Sequence, residues 1–122
     1  STLREEKATG KLALFRASWV ADYPDAENYL SLFYSKNFTP NGPNYTHFKN
    51  NTYDSLYESA LKEIDLKKRH GLYQKMDSIV IKNAPVIPLY YDNVIRFTRK
   101  NIHGLGINPI NLLHLKRVYK SK

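Results

Sequence analysis

Asp22 closes an apolar and aromatic run, L-A-L-F-R-A-S-W-V over residues 12–20, that holds Trp19, the only tryptophan among 122 residues. A carboxylate beside Trp19 and Tyr23 can accept hydrogen bonds from an ammonium group, and the aromatic faces add cation–π attraction and exclude water. The same aspartate can instead turn the chain ahead of Pro24, which is the reading composition alone favours. Asp25 and Glu27 are better explained as helix-start residues, favoured by the helix dipole, than as a carboxylate pair for acid/base work.

Other chemistry is thinly represented. His47, His70, His103 and His114 are scattered, without the i, i+4 or carboxylate-flanked spacing of metal or general-base sites. There is no cysteine, which excludes disulfides, thiolate metal sites and thiol nucleophiles. A G-x-S-x-G elbow, a phosphate-cradling glycine loop and a calcium loop are also missing. The expectation is a protein without catalytic residues, metal or cofactor.

The formal charge of +8 suggests nucleic acid or an anionic surface, but its distribution argues otherwise. Seven of the 19 basic residues lie between Asn93 and Lys122, where there is no Asp or Glu, so the remaining twelve face 11 acids. Lys116, Arg117, Lys120 and Lys122 read as a solvated terminus. A basic module using its ten tyrosines as stacking platforms is the competing class. Tyr53, Tyr57 and Tyr73 fall at core-facing helical positions, however, so nucleic acid is not the expected partner.

The elements that would position Asp22 follow from periodicity. Residues 12–20 read as a buried strand between Gly10 and Asp22-Tyr23-Pro24, and Asp25 can cap a short helix carrying Tyr29, Leu32 and Phe33. Residues 35–52, with Pro40-Asn41-Gly42-Pro43 and many Asn and Thr, form the longest loop, of a length that is usually functional or covers something. Its Asn-x-Thr triplets at Asn37, Asn44 and Asn50 are of the kind that arise by chance.

Tyr53, Leu56, Tyr57, Ala60, Leu61 and Ile64 recur at helical spacing, with Asn51 or Thr52 as N-cap and Asp54 in the first turn. A second helix, capped by Asp65, runs to about Asn83 with Leu72, Tyr73, Met76, Ile79 and Val80 on one face, and Ala84-Pro85 ends it. V-I-P-L-Y-Y (86–91) and V-I-R-F-T (94–98) suggest two strands joined by a turn at Asp92-Asn93, the first an edge strand because Pro88 cannot donate. Beyond Lys100, Gly104, Gly106 and Pro109 mark turns before one last strand near Leu112–Val118. No stretch reaches the roughly 20 apolar residues of a membrane span, and S-T-L-R-E-E-K-A-T-G-K lacks the apolar core of a secretory signal.

W-V-A-D-Y-P-D-A-E-N-Y-L (19–30), Y-D-S-L (53–56) with Ala60, R-x-x-L-Y (69–73) and A-P-V-I-P-L-Y-Y (84–91), in this order from about Leu12 to Val118, resemble the C-terminal part of the oligopeptide- and dipeptide-binding proteins. These are the extracytoplasmic solute-binding subunits of ABC transporters. The resemblance implies an α/β fold in which residues 1–122 are a C-terminal lobe fragment of a larger two-lobed periplasmic-binding-protein-like structure (type II), with strands and about three helices. Residues 12–100 would be lobe core and 101–122 a return segment toward the other lobe.

It also implies a peptide ligand and, through the full-length protein, a membrane permease as partner, with an extracytoplasmic location, free or lipid-anchored. Asp22 matches the aspartate that receives the peptide's α-amino group, and Trp19 the tryptophan lining the pocket. The backbone around Val20 and Ala21 would pair with the extended peptide, with Tyr23 adjoining. Arg16 matches an arginine that, in some relatives, contacts the ligand's carboxylate end. Members of the same fold bind nickel chelates, haem or sugars, so the ligand class rests on Asp22. An isolated lobe fragment would also expose strand edges able to pair with a second copy.

Overall fold

The computed structural model describes residues 2–108 and 112–122. Its organising unit is a helical hairpin. Helix α3 (Asn51–Lys62) begins where the Asn50 side chain accepts the Tyr53 N–H at 3.0 Å, one residue earlier than the expected cap. Asp54 does lie in the first turn, and there its carboxylate also receives the Ser35 N–H at 3.1 Å. Helix α4 (Leu66–Asn83) starts on the expected cap, with Asp65 accepting the Lys68 N–H at 3.0 Å. It ends at Ala84, which turns left-handed (φ 47°) and returns its N–H to Val80. Pro85 has no N–H to continue the ladder.

Tyr53, Tyr57 and Ala60 of α3 meet Tyr73, Met76 and Val80 of α4 in the buried core, with Leu72 and Ile79 at its margin. That is the expected face, with two exceptions. Leu61, in the last turn of α3, is exposed, and so is Ile64, because α3 stops at Lys62 and Glu63 is extended, which leaves Ile64 between the helices. The helix also lets α4 approach closely at Ala60, whose side chain is only a methyl group.

A short helix α2 (Glu27–Leu30) and two 3-10 turns, Ser31–Phe33 and Ser35–Asn37, lie across this hairpin. Leu30 and Asn28 are the residues buried in α2, while Tyr29, expected on the apolar face, is exposed. After one α-turn the helix tightens to three residues per turn, so a 3.6-residue spacing no longer selects the inner face. Tyr53 donates its hydroxyl to the Leu30 carbonyl at 2.6 Å, and Tyr34 stacks on Tyr57 with ring centroids 4.5 Å apart.

The 35–50 loop covers the open end of the core. Phe48 meets Tyr53 and Phe33 edge-on, and Asn44 is fully buried, donating to the carbonyls of Tyr34 (3.1 Å) and Phe48 (3.0 Å). Gly42 is required where it stands, since a Cβ there would lie 2.5 Å from the Asn37 carbonyl oxygen.

The expected strands are corrected. Residues 12–20 form no ladder among the described residues and are not buried, with Leu14 84% and Val20 69% exposed. Residues 86–91 and 94–98 likewise do not pair as a hairpin, and Tyr91 and Phe97 are each 94% exposed. A ladder needs a neighbouring strand, and among the described residues neither segment has one.

The only ladder among the described residues is short. Strands β1 (Ile102–His103) and β2 (Tyr119–Lys120) pair antiparallel, Ile102 opposite Lys120 and His103 opposite Tyr119. The last strand therefore falls just beyond the expected stretch, and Pro109 lies outside the described residues. A fourth helix, α1 (Thr2–Ala8), was not foreseen. It carries no buried residue, so its sequence shows no strong apolar period. Among the described residues no helix is long and apolar enough to cross a membrane.

Candidate ligand-binding site

Residues 16–23 leave the extended arm and meet the start of α2, where three carboxylates, Asp22, Asp25 and Glu27, lie within six residues. Two of them are committed to the protein. Asp25 accepts the Glu27 N–H at 2.9 Å through one oxygen and faces the Arg69 guanidinium at 3.5 Å through the other. Glu27 receives the hydroxyl of Tyr57 on one oxygen and that of Tyr23 on the other. Both therefore act at the start of α2, as expected, and each also ties that start to the helical hairpin.

Asp22 differs from its neighbours. It is exposed, and among the described residues no donor or cation reaches its carboxylate. Only its backbone is held, its N–H lying 3.4 Å from the Asn28 side-chain oxygen. That same oxygen accepts the Trp19 indole N–H at 2.7 Å. Asn28 is 3% exposed and so joins the two ends of the W-V-A-D turn from beneath.

The electrostatics agree with this division. Tyr23 titrates above the usual phenol value, chiefly because it donates to Glu27, and burial adds to the effect. Burial first, and then hydrogen bonding to Asp25, pushes the Tyr73 phenol up to about 12. In Tyr57 burial and the bond to Glu27 act in the same direction. Neutral phenols thus serve as fixed donors to the two committed carboxylates, whereas no such donor reaches Asp22 among the described residues.

Of the other residues expected at the site, Trp19 is 36% exposed at its rim, Val20 is exposed and Ala21 half-buried. The backbone of Val20 and Ala21 makes no hydrogen bond among the described residues, so it is free to accept an added strand. Arg16 is placed differently. Its guanidinium donates to the Tyr90 hydroxyl at 2.6 Å, joining the 12–20 arm to the 86–91 arm.

Asn28, Tyr57, Arg69 and Tyr73 were not identified as site residues from the sequence. Arg69 and Tyr73 could have been, since both belong to the R-x-x-L-Y element, and an arginine one helical turn from a tyrosine on a core face invites an acidic partner. Asn28 left no such signal, because a buried amide in a one-turn helix has no period to betray it.

No family model matches the chain. Relatives among characterised proteins are nevertheless clear. A protein of Escherichia coli (strain K12) named as the probable deoxycholate-binding periplasmic protein YgiS is 33% identical over 119 residues, 97% of this chain and 22% of that protein. The dipeptide-binding protein DppE of Bacillus subtilis (strain 168) is 31% identical over 114 residues, 93% of this chain and 20% of DppE. The solved structure of the Escherichia coli murein tripeptide binding protein MppA superposes with a TM-score of 0.83 at 29% identity, covering 99% of this chain and 23% of that one. All three are named as binding proteins. The chain spans about a fifth of the length of these relatives.

Proposed function

The chain belongs to the oligopeptide- and dipeptide-binding proteins, and on that premise we propose that it forms part of the peptide-receiving lobe of an ABC-transporter solute-binding protein. Asp22 receives the ligand's α-ammonium, with Trp19 and Tyr23 beside it and the backbone of Val20 and Ala21 open to the extended peptide. The observation that carries this reading is the contrast among three neighbouring carboxylates: Asp25 and Glu27 are satisfied by the protein, whereas Asp22 is exposed and unpartnered among the described residues. An anionic ligand would meet that carboxylate unfavourably, which supports a peptide amine over a bile acid for this chain.

In the longer protein, residues 12–100 belong to one lobe, residues 101–122 return toward the other, and the second lobe supplies the remaining contacts. The exposed arms at 12–20 and 86–98 take their neighbouring strands from that remainder. In an isolated chain the same edges are open to a second copy. The relatives' periplasmic naming supports an extracytoplasmic location, and delivery to a membrane permease follows from the transporter role.

Calorimetry on the full-length protein tests the reading. Free-amine di- and tripeptides should bind, and Asp22→Asn should weaken them by about 2 to 5 kcal/mol, or roughly 30-fold to several thousand-fold, because one partner of a desolvated charge pair is removed. N-acetylated peptides should bind poorly to both proteins. Unchanged affinity in Asp22→Asn, or equal binding of acetylated peptides, would show that Asp22 is not an amine receptor.

A further inference from the structure

We propose that Asn28 is the positioning residue of this site: its carboxamide oxygen locks the Trp19 indole and the Asp22 backbone to one acceptor, so that the carboxylate and the aromatic face are presented to a ligand as one unit. The inference rests on the reading of Asp22 as the ammonium receptor.

Asn28 is well placed for that role. Its side chain is 3% exposed, and its oxygen lies 2.7 Å from Trp19 Nε1 and 3.4 Å from the Asp22 nitrogen. An indole has a single N–H, so this bond is the only direct hydrogen bond that can fix the Trp19 ring. Asn28 is itself held at both ends of its backbone, its N–H donating to the Asp25 carbonyl at 3.1 Å and its carbonyl accepting the Ser31 hydroxyl at 2.9 Å. Two residues on, Leu30 is buried and receives the Tyr53 hydroxyl from α3. A continuous set of contacts therefore runs from the helical core through α2 to Trp19 and Asp22. The two residues meant to meet the ligand are exposed, and the residue that orients them is buried and rigid, the arrangement that preorganises a site.

Nothing else in the turn replaces this contact. Glu27 is occupied by Tyr23 and Tyr57, and Asp25 by the α2 start and Arg69. A leucine at position 28 would keep the number of side-chain heavy atoms but offer no acceptor. It would leave a half-buried indole N–H and the Asp22 N–H without partners, and the turn would open to hydrate them.

The test is hydrogen exchange at the Trp19 indole, observed by nuclear magnetic resonance in the full-length protein and assigned by its loss in Trp19→Phe. In the unmodified protein the indole N–H should exchange at least about tenfold more slowly than in free tryptophan. Asn28→Leu should abolish that protection and weaken binding of the probe Ala-Ala-Ala by about five- to a hundredfold. Asn28→Asp, which keeps the acceptor, should restore the protection.

An indole that exchanges at the free rate in the unmodified protein overturns the proposal, and this arm decides the matter even if Asn28→Leu does not fold. Retained protection in Asn28→Leu overturns it too, as does lost protection with unchanged affinity, which would make Asn28 merely structural. If the unmodified protein fails to bind Ala-Ala-Ala, or Asp22→Asn binds it equally well, the ammonium reading fails instead, and the indole exchange still judges Asn28.

Discussion

The helical hairpin and the two extended arms carry similar kinds of side chain and fare very differently. Val80 and Tyr57, on the helices, are each 5% exposed, while Leu14 and Phe97, on the arms, are 84% and 94% exposed. A helix satisfies its backbone hydrogen bonds internally and needs cover for one face only, which a second helix three residues away in sequence provides. A strand needs neighbours along its edges for its backbone hydrogen bonds and a packed layer on its face to enclose its apolar side chains. The first region is enclosed among the described residues, and the second is left exposed. The proposed site sits where they join: Asp22 and Trp19 end an arm, and Asn28, Glu27 and Asp25 fasten that end to the hairpin.

The contrast should be visible in stability. Met76 is fully buried, so Met76→Ala should cost about 2 to 5 kcal/mol of unfolding free energy, whereas Phe97→Ala should cost less than about 0.5 kcal/mol in this chain. Urea titration of both variants measures the difference, and comparable losses would mean that the arms are packed in solution.

A second, smaller effect probes the core by pH. Tyr53, Tyr57 and Tyr73 all titrate above the ordinary phenol value, with burial the largest cause in each. The folded state therefore favours their neutral forms, and the stabilisation is complete below about pH 10, where unfolded tyrosine begins to ionise. It is lost as pH rises from there through the folded values, Tyr73 reaching its own at about 12. The expected slope is on the order of 1 kcal/mol per pH unit for each tyrosine. Urea midpoints between pH 9 and pH 11 check this, and a flat profile would show that the hairpin does not shelter its phenols.

The smallest change should go the other way. Gly71 lies within α4 with open space where a Cβ would stand, so Gly71→Ala should stabilise by about 0.5 to 1 kcal/mol. Thermal melting measures it, and a loss would mean that the outer face of α4 is closely covered.

Much of the hairpin was legible because a 3.6-residue period reports burial locally. The Asp65 cap, the end at Ala84-Pro85 and the inner face of α4 could all be read in order. The arms were misleading as strands, since V-I-P-L-Y-Y carries a strand-like pattern but does not specify the presence of a neighbour. At the site, W-V-A-D could be singled out by residue type and by resemblance. Its support could not, because Asn28, Tyr57 and Arg69 are drawn together only by the docking of α2 on α3 and α4.

The sequence by itself determined the two long helices, because a period is a property of a dozen or so consecutive residues, and the candidacy of Asp22, through residue type and resemblance. Only the tertiary structure decided which groups occupy Asp25 and Glu27, and that Asp22 has no such partner among the described residues. Charge and spacing are nearly the same for Asp22, Asp25 and Glu27. What separates them is the direction from which distant hydroxyls and a guanidinium approach, and that direction exists only once the helices have packed.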